Sequence, residues 1–152
     1  MLKTLTQRND RGFTLIELLV VIAIIAVLAA LILAALSSAQ KGSRDSRRKS
    51  DLNQYKTALA QYAGDNNGNY PTQATATGMT NANAPYSALT GTYMTNFIDD
   101  PKTAGNYSYV APSGSASGFG ICAPLERNTS NMFAVGPTYS GEKANATCTA
   151  QG

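Results

Sequence analysis

The residues best placed to do chemistry lie in the stretch RGFTLIELLVVIAIIAVLAALILAAL, Arg11 to Leu36. From Phe13 onward only Thr14 and Glu17 are polar, and Leu18 to Leu36 is apolar without interruption. A carboxylate inside such a run is costly, so it needs a partner or a function. A removable secretory signal, with Ser37-Ser38-Ala39 as a small-residue cleavage site, has an apolar core of only about 7–15 residues and no use for Glu17. A plain membrane anchor fits the length and leaves Glu17 unexplained, unless the side chain snorkels. A cut between Gly12 and Phe13 supplies the partner. It creates an α-amine at Phe13, cationic at neutral pH, one helical turn from Glu17. When such rods pack side by side, the amine of one meets Glu17 of its neighbour. Registers that leave either charge unpaired in an apolar core are then excluded.

The other reactive residues are Cys122 and Cys148. Both follow the apolar segment, so if that segment exports the C-terminus they lie in an oxidising space where a disulfide forms. Two unrelated buried thiols are the other reading. The chain has no histidine, and it shows no phosphate-binding glycine loop and no metal-ligand cluster. These features predict no enzyme, no cofactor and no metal. Asp99-Asp100 before Pro101 reads as a turn rather than a calcium site. Asn106, Asn128 and Asn145 each open an N-x-S/T triplet, which carries little weight alone.

The elements that must position these residues follow from composition and periodicity. The 152 residues suffice for one small core, and charged residues make up only 14%, against about 25% in typical soluble domains. Residues 1 to 62 hold nine of the twelve Lys and Arg. Residues 1–12 are short and basic, a leader by charge logic. Residues 13–36 span about 36 Å as a helix, enough to cross a bilayer. With no Pro or Gly between Phe13 and Lys41, the helix continues beyond the membrane. Leu52, Tyr55, Leu59 and Tyr62 then recur at helical spacing, widened by Ala58. One helix over residues 13–63 is predicted, stopping at Gly64. Residues 65–92 read as a long connection. Strands are predicted at Tyr107–Val110, Phe119–Leu125 and Met132–Val135, with an edge strand around Cys148. Their inner face covers the helical stripe, and most of the eight tyrosines pack there.

The basic run Lys41, Arg44, Arg47, Arg48, Lys49 reads as a solvated helix face beside lipid headgroups, with Asp45 and Asp51 as local partners. Electrostatic contact with nucleic acid or an acidic partner is the sharper alternative. The run also conflicts with the positive-inside rule if the C-terminal part is exported.

Gly12-Phe13-Thr14-Leu15-Ile16-Glu17 followed by the apolar run closely resembles the N-terminal signature of type IV pilins and type II secretion pseudopilins. The strong likeness covers Arg11 to Leu36. A looser one runs from Arg47 to Pro71, and the C-terminal half is similar only in style. The resemblance implies cleavage after Gly12 by a membrane prepilin peptidase, N-methylation of Phe13, and a role for Glu17 in recruiting a subunit into a filament. The Cys122–Cys148 pair resembles the C-terminal staple of many pilins. The chain departs from many of them in lacking a Pro or Gly in the first part of the helix.

The expected fold class is therefore α+β and pilin-like: a leader at 1–12, a transmembrane and filament-core helix at 13–36, and a helix extension plus head at 37–152. The expected function is that of a type IV pilus subunit for adhesion, motility or DNA uptake. A pseudopilin is the alternative and a single-pass anchored binding module the outside option. The partners implied are further copies of the chain, the peptidase, assembly machinery and, before assembly, membrane lipid. The basic run lies too deep in a filament for direct nucleic-acid contact. The implied location is the cytoplasmic membrane for the precursor and then an extracellular filament.

Overall fold

The computed structural model describes residues 12–80, 82, 85–102, 107–111, 118–144 and 148–149, apart from the side chain at 34. Met1 to Arg11 of the leader, and Asn106 and Asn145, lie outside the described residues. A 51-residue helix, α1 (Leu15–Asp65), is followed by β1 (Gln73–Gly78), the one-turn α2 (Tyr86–Leu89), β2 (Ser108–Ala111), β3 (Gly120–Pro124), β4 (Asn131–Val135) and β5 (Ser140–Ala144). The chain divides into two compact units, Met1–Ser38 and Ala39–Gly152. In the first, the large apolar side chains from Phe13 to Leu36 are all exposed, between 48% and 87%. No monomer in water leaves so long an apolar surface uncovered. This helix is also long and apolar enough to cross a membrane.

The second unit is a five-stranded antiparallel meander in the order β1-β2-β3-β4-β5, packed on the C-terminal half of α1. The α+β layout expected from the sequence is present. The helical stripe seats Leu52, Tyr55 and Leu59 fully in the core and Ala58 nearly so, while Tyr62 packs at its edge. Strand alternation supplies the opposing layer: Tyr109 and Ala111, Ile121 and Ala123, Phe133 and Val135 face the helix, as a period of two requires. The intervening Val110, Cys122 and Ala134 gather on the outer face with Cys148. There Cys122 and Cys148 are joined in a disulfide with a Cα–Cα distance of 5.8 Å. It clamps the chain beyond β5 to the back of the sheet.

Three expectations are corrected. The helix runs through Gly64 to Asp65 and stops where Asn67 and Gly68 turn left-handed, at φ 56° and 81°. The Gly68 N–H reaches back five residues to Ala63 O at 2.8 Å, as in a Schellman ending. The supposed long connection contains β1 and α2; QATATG is exposed at Ala74 to Thr77, so it shows no buried alternation to read. The edge strand is β5, SGEKA, whose register is fixed by pairing with β4 from Asn131↔Ala144 to Val135↔Ser140. Cys148 lies past it, outside any strand.

Cys122→Ser should destabilise the head by about 3 kcal/mol through the lost loop constraint. For a unit of this size that lowers the melting temperature by roughly 10–20 °C. Circular dichroism of the full chain in detergent, oxidised and reduced, reads this; coincident melts would show that the bridge carries no stability.

Candidate functional site: the N-terminal segment and the head that holds its helix

Gly12, Phe13 and Thr14 lead into α1 as irregular, exposed backbone, and Phe13 is 87% exposed. The Gly12-Phe13 peptide is therefore accessible and outside the helix. The helix starts at Leu15 because Thr14 and Glu17 cap it reciprocally. Thr14 Oγ1 accepts from the Glu17 N–H at 3.3 Å, and Glu17 Oε2 accepts from the Thr14 N–H at 2.9 Å. The Thr14 hydroxyl also donates to Glu17 Oε2 at 2.7 Å. This is a T-x-x-E capping box. Glu17 thus has a partner within its own chain, which the sequence analysis did not assign. All three contacts involve the backbone N–H or Oε2 of Glu17. Among the described residues nothing donates to Oε1. The carboxylate also sits in the first turn, where the helix dipole favours negative charge.

The Gly12-Phe13 junction, Glu17 and the exposed apolar helix behind them form one continuous segment whose one ionisable side chain up to Leu36 is Glu17. Residues 7–33 match the family model described as the prokaryotic N-terminal methylation motif. That match supports the type IV pilin and pseudopilin resemblance. No curated protein and no solved structure matches the chain. Among the described residues, no group of three His, Cys, Asp or Glu side chains is placed to hold a metal ion.

The basic run does not form the solvated face expected. Arg48 is 1% exposed and donates to both carboxylate oxygens of Asp100 and to Asp45 Oδ1 at 2.9 Å. Its Nη2 also lies 2.9 Å from Glu126 Oε1. Arg44 grips Glu126 with two parallel bonds at 2.7 and 2.8 Å. Asp45 in turn accepts the N–H groups of Glu126 and Arg127 at 2.8 and 2.9 Å. The expected local pairs Arg48–Asp45 and Arg47–Asp51 exist at 2.9 and 3.8 Å. The Asp99-Asp100 turn is there as well, with the Lys102 N–H bonded to Asp100 Oδ1. However, Asp100 is buried as the main anchor of Arg48. Lys49 pairs with Glu142 of β5. Charges of one sign on a helix read as solvent-facing when the opposite charges lie 52 to 93 residues away. That separation hid the network from the sequence.

Electrostatics follow from this geometry. The hydrogen bonds from Arg44 hold the Glu126 carboxyl down to about 2, helped by Arg48. Asp100 raises the already high Arg48 further. Burial pushes Asp51 up, opposed by the Tyr107 hydroxyl that donates to it at 2.8 Å. Tyr107 and Tyr55 are pushed up by burial as well, and Tyr55 donates to Ile98 O at 2.9 Å. Helix and loops are therefore tied together by charge-assisted bonds that stay intact across neutral pH.

A depressed carboxylate stabilises the fold above its unfolded value near 4.5 and loses that contribution as pH falls toward about 2. The melting temperature of the head should therefore fall over that window, and Glu126→Gln should flatten this acid limb while lowering stability at pH 7. An unchanged acid limb in the variant would remove Glu126 from the network's energetics. Thr14→Val should open the first turn of α1, raising amide exchange there about five-fold, the equivalent of a lost cap. Exchange in lipid at residues 15–18 that matches wild type would mean that the capping box is idle.

Proposed function

We propose that this chain is a type IV pilin-like filament subunit. A prepilin peptidase cuts it after Gly12, Phe13 is N-methylated, and it polymerises through residues 13–36. One observation carries the reading: the methylation motif at residues 7–33 opens a helix whose large apolar side chains are all exposed. The apolar length suits a membrane-anchored precursor first and a filament core afterwards.

Exchanging lipid for neighbouring helices is nearly neutral in hydrophobic energy, since acyl chains are as apolar as leucine. Direction and register must therefore come from packing and from the charges at the tip. In this proposal the new Phe13 amine of one copy meets Glu17 of another. The capping box leaves Oε1 accessible for that contact and holds the carboxylate at the helix start. Uncut, the chain has no such amine and carries a basic leader in its place. Cleavage is thereby a switch, and the second unit supplies the filament's outer surface. This is a structural role rather than an enzymatic one.

Between the two subclasses, the disulfide and the Thr-, Asn- and Gly-rich head favour a pilus subunit over a secretion pseudopilin. Adhesion, motility and DNA uptake are the activities such a filament serves. A single-pass anchored module has no need of the motif.

Glu17→Ala should leave insertion and cleavage intact while incorporation into filaments falls at least ten-fold, read by shearing filaments from cells and quantifying the subunit. Normal filaments from that variant would remove the register argument. Mass spectrometry of wild-type mature chain should find N-methyl-Phe13 at its start. An uncut chain in assembly-competent cells would support the simple anchor.

A further inference from the structure

Most of the cations where the β3–β4 turn meets the start of the second unit are paired with carboxylates, and among the described residues Lys41 and Arg127 are not. Arg44, Arg48 and Lys49 are paired with Glu126, Asp100 and Glu142. Lys41 and the guanidinium of Arg127 have no acidic partner among the described residues. Arg127 follows Glu126 in the turn between β3 and β4, and its side chain lies across the helix at Gly42. A Cβ built on Gly42 would meet Arg127 Cδ at 3.2 Å and Nη1 at 3.3 Å. Glycine is a poor helix residue, yet here it lets a guanidinium lie against the helix backbone, one residue from Lys41.

Arg127 lines a cleft of about 200 Å³ together with Gly42, Ser46 and Asn128. The carboxylates beside it are already engaged: Asp45 by Arg48 and two backbone N–H groups, Glu142 by Lys49. What remains available in the lining is a guanidinium fork, a hydroxyl and an amide, with the Lys41 ammonium outside it, one residue before Gly42 in the helix. That set matches a phosphate diester, whose two free oxygens suit bidentate pairing with arginine.

The position along the chain selects the source of the phosphate. Lys41 is five residues beyond Leu36, the end of the apolar run. As helix, these five residues rise about 7.5 Å, a distance the long side chains of lysine and arginine can lean back across. The polar layer of a bilayer is about 5–7 Å deep on each side. Both cations are thus tethered within reach of the headgroups for as long as the helix stays in the membrane. We propose that Arg127 and Lys41, with Ser46 and Asn128 as neutral partners, form a site for the headgroup phosphate of an anionic phospholipid. The proposal rests on the membrane-anchored reading of residues 13–36. The site holds the head against the bilayer before assembly, and it must be vacated when the subunit leaves the membrane.

The test uses the full chain in nanodiscs of phosphatidylcholine with about one-fifth phosphatidylglycerol. The readout is the ratio of the two lipids retained on the protein in native mass spectrometry. Wild type should retain the anionic lipid in excess of its share. Arg127→Gln and Lys41→Gln should each lower that preference about five-fold, the effect expected for one cation near an anionic surface. Gly42→Leu keeps both charges but displaces the guanidinium, and should lose as much as Arg127→Gln. Lys143→Gln, which removes a cation held over the Tyr139 ring, should change nothing. Circular dichroism and disulfide content establish that each variant is folded. Equal retention of the two lipids by wild type, or a preference that survives both Arg127→Gln and Gly42→Leu, overturns the site and leaves Arg127 as packing. Failure of wild type to insert into any bilayer overturns the anchor reading instead, and the site with it.

Discussion

One carboxylate in the otherwise apolar run from Leu15 to Leu36 sets the terms for the whole first unit. Glu17 cannot be ignored energetically, because in the proposed membrane and filament states residues 13–36 have only hydrocarbon or another helix to lie against. Part of its demand is met at home by Thr14, which uses the same bonds to start the helix. The part left over, at Oε1, is what a neighbouring cation satisfies in the proposed filament. Apolar packing can hold helices together but is poor at choosing between registers. A single buried charge with one acceptable partner is good at choosing and adds little net stability.

The second unit solves a different problem. Its core is small, so hydrophobic burial alone leaves it marginal. Two devices supplement that core at opposite faces of the sheet. On the helix side, Arg48 gathers Asp45, Asp100 and Glu126, tying α1 to the loops before β2 and after β3. On the outer side, the Cys122–Cys148 bridge secures the end of the chain. The network also bears on the positive-inside conflict. Of the basic residues past the apolar run, Arg44, Arg48 and Lys49 are matched by Glu126, Asp100 and Glu142 in the folded head, which leaves less of the cluster uncompensated.

Legibility in the sequence tracked how local each determinant is. The apolar run, the Leu52–Tyr55–Leu59 stripe and the three central strands carry their own periodicity, so they were readable one window at a time. QATATG and SGEKA carry none; they are strands because neighbours offer them a ladder. The burial of Arg48 was invisible for a related reason. Its main acceptor lies 52 residues away, and a charged helical run without that knowledge reads as surface. The Thr14–Glu17 capping box was different. Its T-x-x-E spacing stands in the sequence, but a carboxylate at the head of an apolar run serves equally as a cap or as an intermolecular partner, and the spacing alone does not separate the two. The relation between Gly42 and Arg127 depends on a chain reversal that no local pattern announces.

The central claim is that the amine released at Phe13 contacts Glu17 of another copy. A zero-length carbodiimide cross-link in mature filaments assembled from mixed light- and heavy-isotope subunits tests it directly. The account predicts Phe13–Glu17 linked peptides that join light to heavy chains. Linked peptides found only within one isotope label, with cross-linking efficient elsewhere in the filament, would contradict it.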